Sequence, residues 1–138
     1  MIYLDTSAIL KLLRREAETD ALIAHLDAHA QQELFTSALA TVEVARALTA
    51  LGSAEIAARA VPTSDRVEVG EGVIPAVAMT GPVLDLARTL PPAVLRSLDA
   101  IHLATAKLAG ESLDHIVTYD KRMLTAAEAA GVHTAAPS

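Results

Sequence analysis

The stretch Ile2-Tyr3-Leu4-Asp5-Thr6-Ser7 decides the fold. Three residues typical of a strand run directly into a carboxylate and two hydroxyls, and an apolar helical pattern begins at Ala8. An open α/β sheet presents a functional group at the carboxyl end of its first strand in this order of strand, acid and helix. Asp5 is therefore the first candidate functional residue, although Asp is also a preferred cap of a helix N-terminus.

The composition is that of a cysteine-free, acidic chain with a net charge of −6. Because 138 residues match the commonest domain size, we expect 1–138 to form a single domain. The absence of cysteine excludes disulfides and thiolate metal sites. The chain opens without the features of an export signal, and no apolar run approaches the ~18 residues of a membrane span, so we expect a soluble cytoplasmic protein.

The charge balance and the scarcity of aromatic residues disfavour a general nucleic-acid-binding surface. The chain has 11 basic against 17 acidic residues, with two Tyr, one Phe and no Trp. Sequence-independent binders carry a basic footprint, and base-stacking platforms need aromatic side chains. Contact with nucleic acid therefore requires local basic patches or a metal ion that makes the local electrostatic potential positive. Lys11, Arg14 and Arg15 form one basic group. It is equally consistent with a solvated helix face and with a surface that contacts RNA phosphates or a partner.

Strand and helix patterns alternate along the rest of the chain. The predicted strands after the first are Leu34–Thr36, Arg66–Val69, His115–Tyr119 and Val132–Thr134. The predicted helices are Ala8–Leu13, Glu16–Ala30, Ser37–Leu51, Ser53–Val61, Ser97–Leu108 and Lys121–Ala130, and a further helix restarts near Gly81-Pro82. This alternation predicts a three-layer α/β/α fold around a mostly parallel sheet of four to five short strands.

Four acids are expected at one edge of that sheet. Asp5 and Asp120 each follow a strand, while Glu43 and Asp99 lie in early turns of helices. Converging carboxylates repel each other unless a cation lies between them, and oxygen ligands suit Mg²⁺ or Mn²⁺. Such an ion activates water and neutralises charge on a phosphoryl group, so the predicted chemistry is phosphodiester hydrolysis.

Four segments together match a known set of motifs. They are Tyr3–Ala8, Glu43 within Ser37–Leu51, Leu95–Ala106 and Val117–Leu124, in this order along nearly the whole chain. They resemble the motifs of PIN-domain nucleases, and more narrowly those of the VapC ribonuclease toxins of type II toxin–antitoxin modules. Leu95–Ala106 is the most specific of the four.

The resemblance implies a PIN fold, dependence on Mg²⁺ or Mn²⁺, and cleavage of structured RNA. It also implies frequent homodimers and inhibition by a small cognate VapB-like antitoxin. The acids that fall on the family's catalytic and metal-binding positions are Asp5, Glu43, Asp99 and Asp120, and the hydroxyls that fall beside them, to support a ligand or contact substrate, are Ser7, Ser97 and Thr118.

One position departs from the pattern. Some relatives carry a further acid just beyond Asp120, where this chain has Lys121 and Arg122. The number of metal ions, one or two, therefore stays open.

The same residues allow other interpretations. A phosphatase or phosphotransferase could use Asp5 as a nucleophile, although such enzymes usually carry a second Asp where this chain has Ser7. A non-catalytic PIN scaffold could act by binding RNA or a partner.

Two side chains also allow a purely structural role. Glu43 could pair with Arg46 one turn later. His102 shares a helix face with Asp99, but its largely apolar helix favours a packed, hydrogen-bonded histidine.

Overall fold

A computed structural model describes all of residues 1–138. The longest helix has 14 residues, and none is long and apolar enough to cross a membrane. In chain order the elements are β1 (Ile2–Leu4), α1 (Thr6–Leu13), α2 (Thr19–Ala28), β2 (Leu34–Ser37), α3 (Ala38–Leu51), α4 (Ala54–Ala57), β3 (Ala60–Pro62), β4 (Arg66–Val69), β5 (Gly72–Val77), α5 (Gly81–Ala87), α6 (Ser97–Lys107), β6 (His115–Val117), α7 (Lys121–Ala129) and β7 (Thr134–Ala135), with a 3₁₀ turn at Gly110–Ser112.

The strands form one sheet in the order β3-β4-β5-β2-β1-β6-β7. Every pair from β5 to β7 is parallel, and only the pairs β3–β4 and β4–β5 are antiparallel. The register places Ile2 opposite Leu34 and His115, and Leu4 opposite Val117. The carboxyl ends of β1 and β6 therefore meet at one edge of the sheet.

Helices cover both faces of this sheet. Ile2 and Leu4 pack in a buried cluster with residues of α1 and α3, whereas Tyr3 packs in a second cluster with residues of α6 and α7. This division follows from the alternation of side chains along a strand. The prediction of three layers around a mostly parallel sheet is confirmed.

The predicted strand number of four to five is too low, because residues 60–77 contain three strands. The helix predicted over Ser53–Val61 is only α4, and the end of that segment is β3. Gly70 takes a φ of 58° in a two-residue turn, which returns the chain as β5 alongside β4. Strand pairing therefore overrides the helix propensity of the alanines, as context commonly does.

Several strand boundaries also differ from prediction, and β2 extends one residue further, to Ser37. The strand expected over His115–Tyr119 ends at Val117, and the last strand lies at Thr134–Ala135 rather than Val132–Thr134. The helix expected to restart near Gly81-Pro82 is α5, with Pro82 in its first turn.

The opposite, amino edge of the sheet carries a histidine cluster of His25, His29 and His115. His115, at the start of β6, contacts Asp114 Oδ2 through Nδ1 (2.6 Å) and His25 Nε2 through its own Nε2 (2.8 Å). The His29 ring lies 4.4 Å from that of His25, and its Nδ1 donates to the His25 carbonyl at 2.7 Å. Burial and the neighbouring rings of His115 and His29 lower the pKa of His25.

Candidate active site

Asp5 lies at the carboxyl end of β1 with only 6% of its surface exposed. Its Oδ1 accepts hydrogen bonds from the Ser7 hydroxyl (2.6 Å) and the Ala8 N–H (3.0 Å), and its Oδ2 accepts one from the Thr118 hydroxyl. Asp5 is thus the N-cap of α1 as well as a candidate ligand. Burial raises the pKa of Asp5, and the hydrogen bonds from Ser7, Thr118 and Ala8 offset only part of that effect.

Two of the predicted hydroxyls join the end of β1 to the end of β6. Ser7 donates to Asp5 and accepts the Tyr119 N–H at 2.8 Å. Thr118 donates to Asp5 and accepts the Asp120 N–H at 3.2 Å. Ser7 and Thr118 therefore fix both oxygens of Asp5 relative to the backbone that leads to Asp120.

Asp120 follows β6 and caps α7. Its Oδ1 accepts the backbone N–H groups of Arg122 (2.8 Å) and Met123 (3.3 Å). Its Oδ2 lies 3.7 Å from the Arg122 guanidinium. One oxygen of Asp120 is therefore committed to the helix, while the other has only a long, partly exposed ion pair.

Glu43, in the second turn of α3, is held by two donors. Its Oε1 accepts the Thr6 hydroxyl (2.7 Å) and lies 2.6 Å from His102 Nε2, while His102 Nδ1 lies 2.6 Å from the Tyr3 hydroxyl. Because an ionised carboxylate only accepts, Nε2 carries the proton and Nδ1 accepts from Tyr3. Burial alone would raise the pKa of Glu43, but the hydrogen bonds from His102 and Thr6 outweigh burial and lower it. Glu43 forms no ion pair with Arg46.

Asp99 lies in the first turn of α6 and lacks a partner. Its Oδ2 is the only buried side-chain nitrogen or oxygen atom of the chain that makes no hydrogen bond. Burial and the charge of Asp120 raise the pKa of Asp99, against the opposing guanidinium charges of Arg122 and Arg96. An unsatisfied buried acceptor costs about 1–3 kcal/mol, and more when charged. A bound cation would supply the missing partner.

The four acids are linked through shared neighbours. Thr118 bonds Asp5 and the backbone N–H of Asp120, the charge of Asp120 acts on Asp99, and His102, three residues after Asp99 on α6, bonds Glu43. In the present side-chain arrangement no three acidic or histidine side chains are placed to hold a metal ion. The orphaned oxygen of Asp99 and the all-carboxylate donor set nevertheless fit a hard divalent cation, which would draw the side chains together.

The PIN domain family model matches residues 2–129. The chain belongs to the PIN-domain family. Three curated relatives of this PIN domain come from Mycobacterium tuberculosis. Ribonuclease VapC46 is 45% identical over 139 residues, covering 99% of this chain and 98% of the relative. Ribonuclease VapC35 is 43% identical over 143 residues, with coverages of 99% and 97%, and ribonuclease VapC47 is 42% identical over 139 residues, with the same coverages.

A solved structure has a similar fold. FitAcB from Neisseria gonorrhoeae superposes on the PIN domain with a TM-score of 0.68 over 99% of this chain and 98% of the other. The sequence identity is 20%, so this likeness concerns the fold alone.

Two sets of predicted residues make no hydrogen bond or ion pair with the four acids. Ser97 is exposed and makes no hydrogen bond with them; it lines a groove of about 420 Å³ between α5 and α6. Near α1, Lys11 bonds Glu16 and Glu18, and Arg15 bonds Asp20. These two cations are therefore engaged within the chain.

The structure adds residues that sequence reasoning left out of the site. Thr6 and His102 hold Glu43, and Tyr3 holds His102 from the buried side. His102 is indeed buried and hydrogen-bonded, as its apolar helix favoured, but its partner is one of the four acids. The spacing of three residues from Asp99 was the available signal, because it places both side chains on one face of α6.

Proposed function

We propose that this protein is a metal-dependent endoribonuclease that acts as the toxin of a type II toxin–antitoxin pair. The observation that carries the proposal is the half-buried carboxylate of Asp99, whose Oδ2 has no hydrogen-bond partner, together with three further acids at the carboxyl edge of a PIN fold. The three curated relatives, 42–45% identical over nearly the whole chain, are named ribonucleases VapC and support the substrate class.

The acids have distinct roles in this proposal. Asp5 and Asp99 are the primary ligands of Mg²⁺ or Mn²⁺, and Glu43 and Asp120 complete the acidic ring and orient the attacking water. When bound, such an ion activates water and neutralises the charge that develops on the phosphoryl group. Water attacks the phosphorus and the P–O3′ bond breaks with the 3′-oxygen taking up a proton, which leaves a 5′-phosphate and a 3′-hydroxyl.

The remaining polar side chains keep the acids in place. Ser7 and Thr118 orient Asp5, so that its carboxylate enters the site in one rotamer. His102 and Thr6 donate to Glu43 and keep it ionised near neutral pH. Fixed carboxylates need little rearrangement when a cation or a phosphate arrives, which is how preorganised groups favour a reaction.

The three relatives support a biological setting for this protein. The proposed substrate is RNA, and the proposed inhibitor is a cognate VapB-like antitoxin. We place the protein in the cytoplasm, where its substrate is, and infer that residues 1–138 act as one PIN domain and assemble as a homodimer. The phosphotransferase alternative gains no support from the sequence, because this chain has Ser7 where such enzymes usually carry a second Asp.

The proposal is tested with purified protein and a labelled RNA hairpin. We expect cleavage in Mg²⁺ or Mn²⁺, none in EDTA, and products with 5′-phosphates. Asp5→Asn removes cleavage, whereas Asp27→Asn, an exposed acid on α2, leaves it unchanged. Undiminished cleavage by Asp5→Asn would overturn the assignment. A phosphoenzyme trapped on Asp5 would favour a phosphotransferase, and metal-independent RNA binding without cleavage would favour a scaffold.

The toxin role has its own test. Expression of the protein in bacterial cells should arrest growth, expression of Asp5→Asn should not, and co-expression of the product of a neighbouring short reading frame should restore growth. Normal growth on expression of a protein that cleaves RNA in vitro would separate the nuclease from the toxin role.

A further inference from the structure

A groove of about 320 Å³, here called the basic groove, lies between the segment before α6 and the first turns of α7. Arg96 stands on one side, and Lys121 and Arg122 stand on the other. Three of the 11 basic residues of an acidic chain thus line one groove.

The positive charge of the basic groove is available to a ligand. Arg96 and Lys121 are exposed and take part in no ion pair. Arg122 has one acidic contact, Asp120 at 3.7 Å, between partly exposed groups. Exposed pairs of this kind contribute about 0–1 kcal/mol, so a phosphate can compete with Asp120 for Arg122.

The basic groove also offers apolar surface. Val94, in its wall, is 88% exposed, more than any other large hydrophobic residue of the chain. Tyr3 and Phe35 are buried, and the Tyr119 ring lies under the Lys11 ammonium at 4.7 Å. Val94 and its neighbour Pro92 therefore provide the surface on which a base can pack beside these cations.

The basic groove adjoins the proposed catalytic acids. Arg96 comes one helical turn before Asp99, and Lys121 and Arg122 directly follow Asp120. The first N–H groups of α7 are occupied by Asp120, so a phosphate here depends on the side chains.

We propose that the basic groove binds the RNA strand immediately beside the scissile phosphate, with Arg96 and Lys121 on its phosphates and Val94 against a base. The inference rests on the proposed ribonuclease function and adds the path of the substrate. RNA matches the groove better than an acidic protein segment does, because each nucleotide presents both a phosphate and an apolar base face.

The test measures binding of a fluorescently labelled RNA hairpin by anisotropy, with every variant built on the cleavage-deficient Asp5→Asn protein. Arg96→Gln and Lys121→Gln should each weaken binding roughly fivefold and lower the slope of log K against log salt by about 0.7. Val94→Ser should weaken binding without changing that slope. Arg59→Gln is the matched control, since Arg59 is exposed, has no ion pair and lies at the amino edge of the sheet.

The outcomes separate this inference from the proposed function. Weaker binding and a smaller salt slope for Arg96→Gln and Lys121→Gln, with Arg59→Gln unchanged, support the groove. If the groove variants bind RNA as their parent does, while the wild-type protein cleaves it, the inference is wrong and the ribonuclease stands. The inference is also wrong if these variants bind RNA as tightly as their parent but no longer bind the antitoxin. If the wild-type protein neither binds nor cleaves RNA, both fail.

Discussion

His102 and His115 are both buried histidines with a hydrogen-bond partner on each ring nitrogen, yet they serve opposite edges of the sheet. His102 links Tyr3 to Glu43 beside the acids at the carboxyl edge. His115 links Asp114 to His25 at the amino edge. Burial and hydrogen-bond number therefore do not distinguish a histidine that supports a reactive site from one that supports the fold.

The two edges differ in how completely their polar groups are satisfied. At the amino edge His25, His29 and His115 bond to one another or to nearby groups. At the carboxyl edge Asp99 Oδ2 is buried without a partner, and burial raises the pKa of both Asp5 and Asp99. Such unsatisfied groups reduce stability, and proteins retain them where function requires them.

Asp99→Asn should have the largest effect and should separate activity from stability. We expect RNA cleavage to fall by about 100-fold or more, because a bound metal ion lowers the activation barrier by several kcal/mol. The free energy of unfolding in EDTA should stay equal or increase, because the repulsion with Asp120 is removed. Cleavage assays and urea denaturation measure the two quantities. A destabilised Asp99→Asn protein would mean that the carboxylate supports the fold.

His102→Phe should reduce cleavage by about 10- to 100-fold per folded molecule, the usual cost of losing a group that orients a metal ligand. It should also lower the free energy of unfolding by about 1–3 kcal/mol, because Tyr3 loses its partner. His102→Gln should recover part of the activity, since its amide can donate to Glu43. Equal activities of the Phe and Gln variants would argue against a positioning role.

His115→Phe is the matched change at the other edge. Its free energy of unfolding should fall by about 1–2 kcal/mol, because the partners Asp114 and His25 are partly exposed and regain water. Cleavage per folded molecule should equal that of the wild-type protein. A loss of activity comparable to that of His102→Phe would abolish the distinction between the two edges.

The smallest effect is a pH dependence of stability from His25. Its folded-state pKa is lowered, so below the ordinary pKa of about 6.5 the unfolded chain takes up the proton more readily. The free energy of unfolding should therefore decrease as pH falls below about 6.5, and His25→Gln should show a shallower decrease. Denaturation at a series of pH values measures both curves. Parallel curves would show that His25 does not contribute.

Much of the fold was predictable because the strand, acid and helix order is local. Asp5 and Asp120 each follow a strand and cap the next helix, and this order is visible within a few residues of sequence. The sequence did not predict β3 and β5, because these strands depend on pairing with their neighbours: β5 contains Pro75 and lies between β4 and β2. Such context-dependent strands are poorly encoded by propensity.

The support of the candidate site was less predictable than its acids. The bond from His102 to Glu43 joins residues 59 positions apart, and nothing in either helix alone specifies it. Ser97 illustrates the converse, since a hydroxyl close to Asp99 in sequence makes no bond to the acids. The roles of Asp5, Glu43, Asp99 and Asp120 as metal ligands remain predictions that the variants above address.

The bond from Thr118 to Asp5 spans 113 positions of the chain, and it has a consequence for synthesis. While a ribosome has translated only the first hundred or so residues, β1 lacks β6 as a neighbour and Asp5 lacks one of its three donors. Domains generally fold as units once their segments have emerged. The nascent polypeptide therefore cannot bring Asp5 and Asp120 together until β6 and the residues after it have left the ribosome.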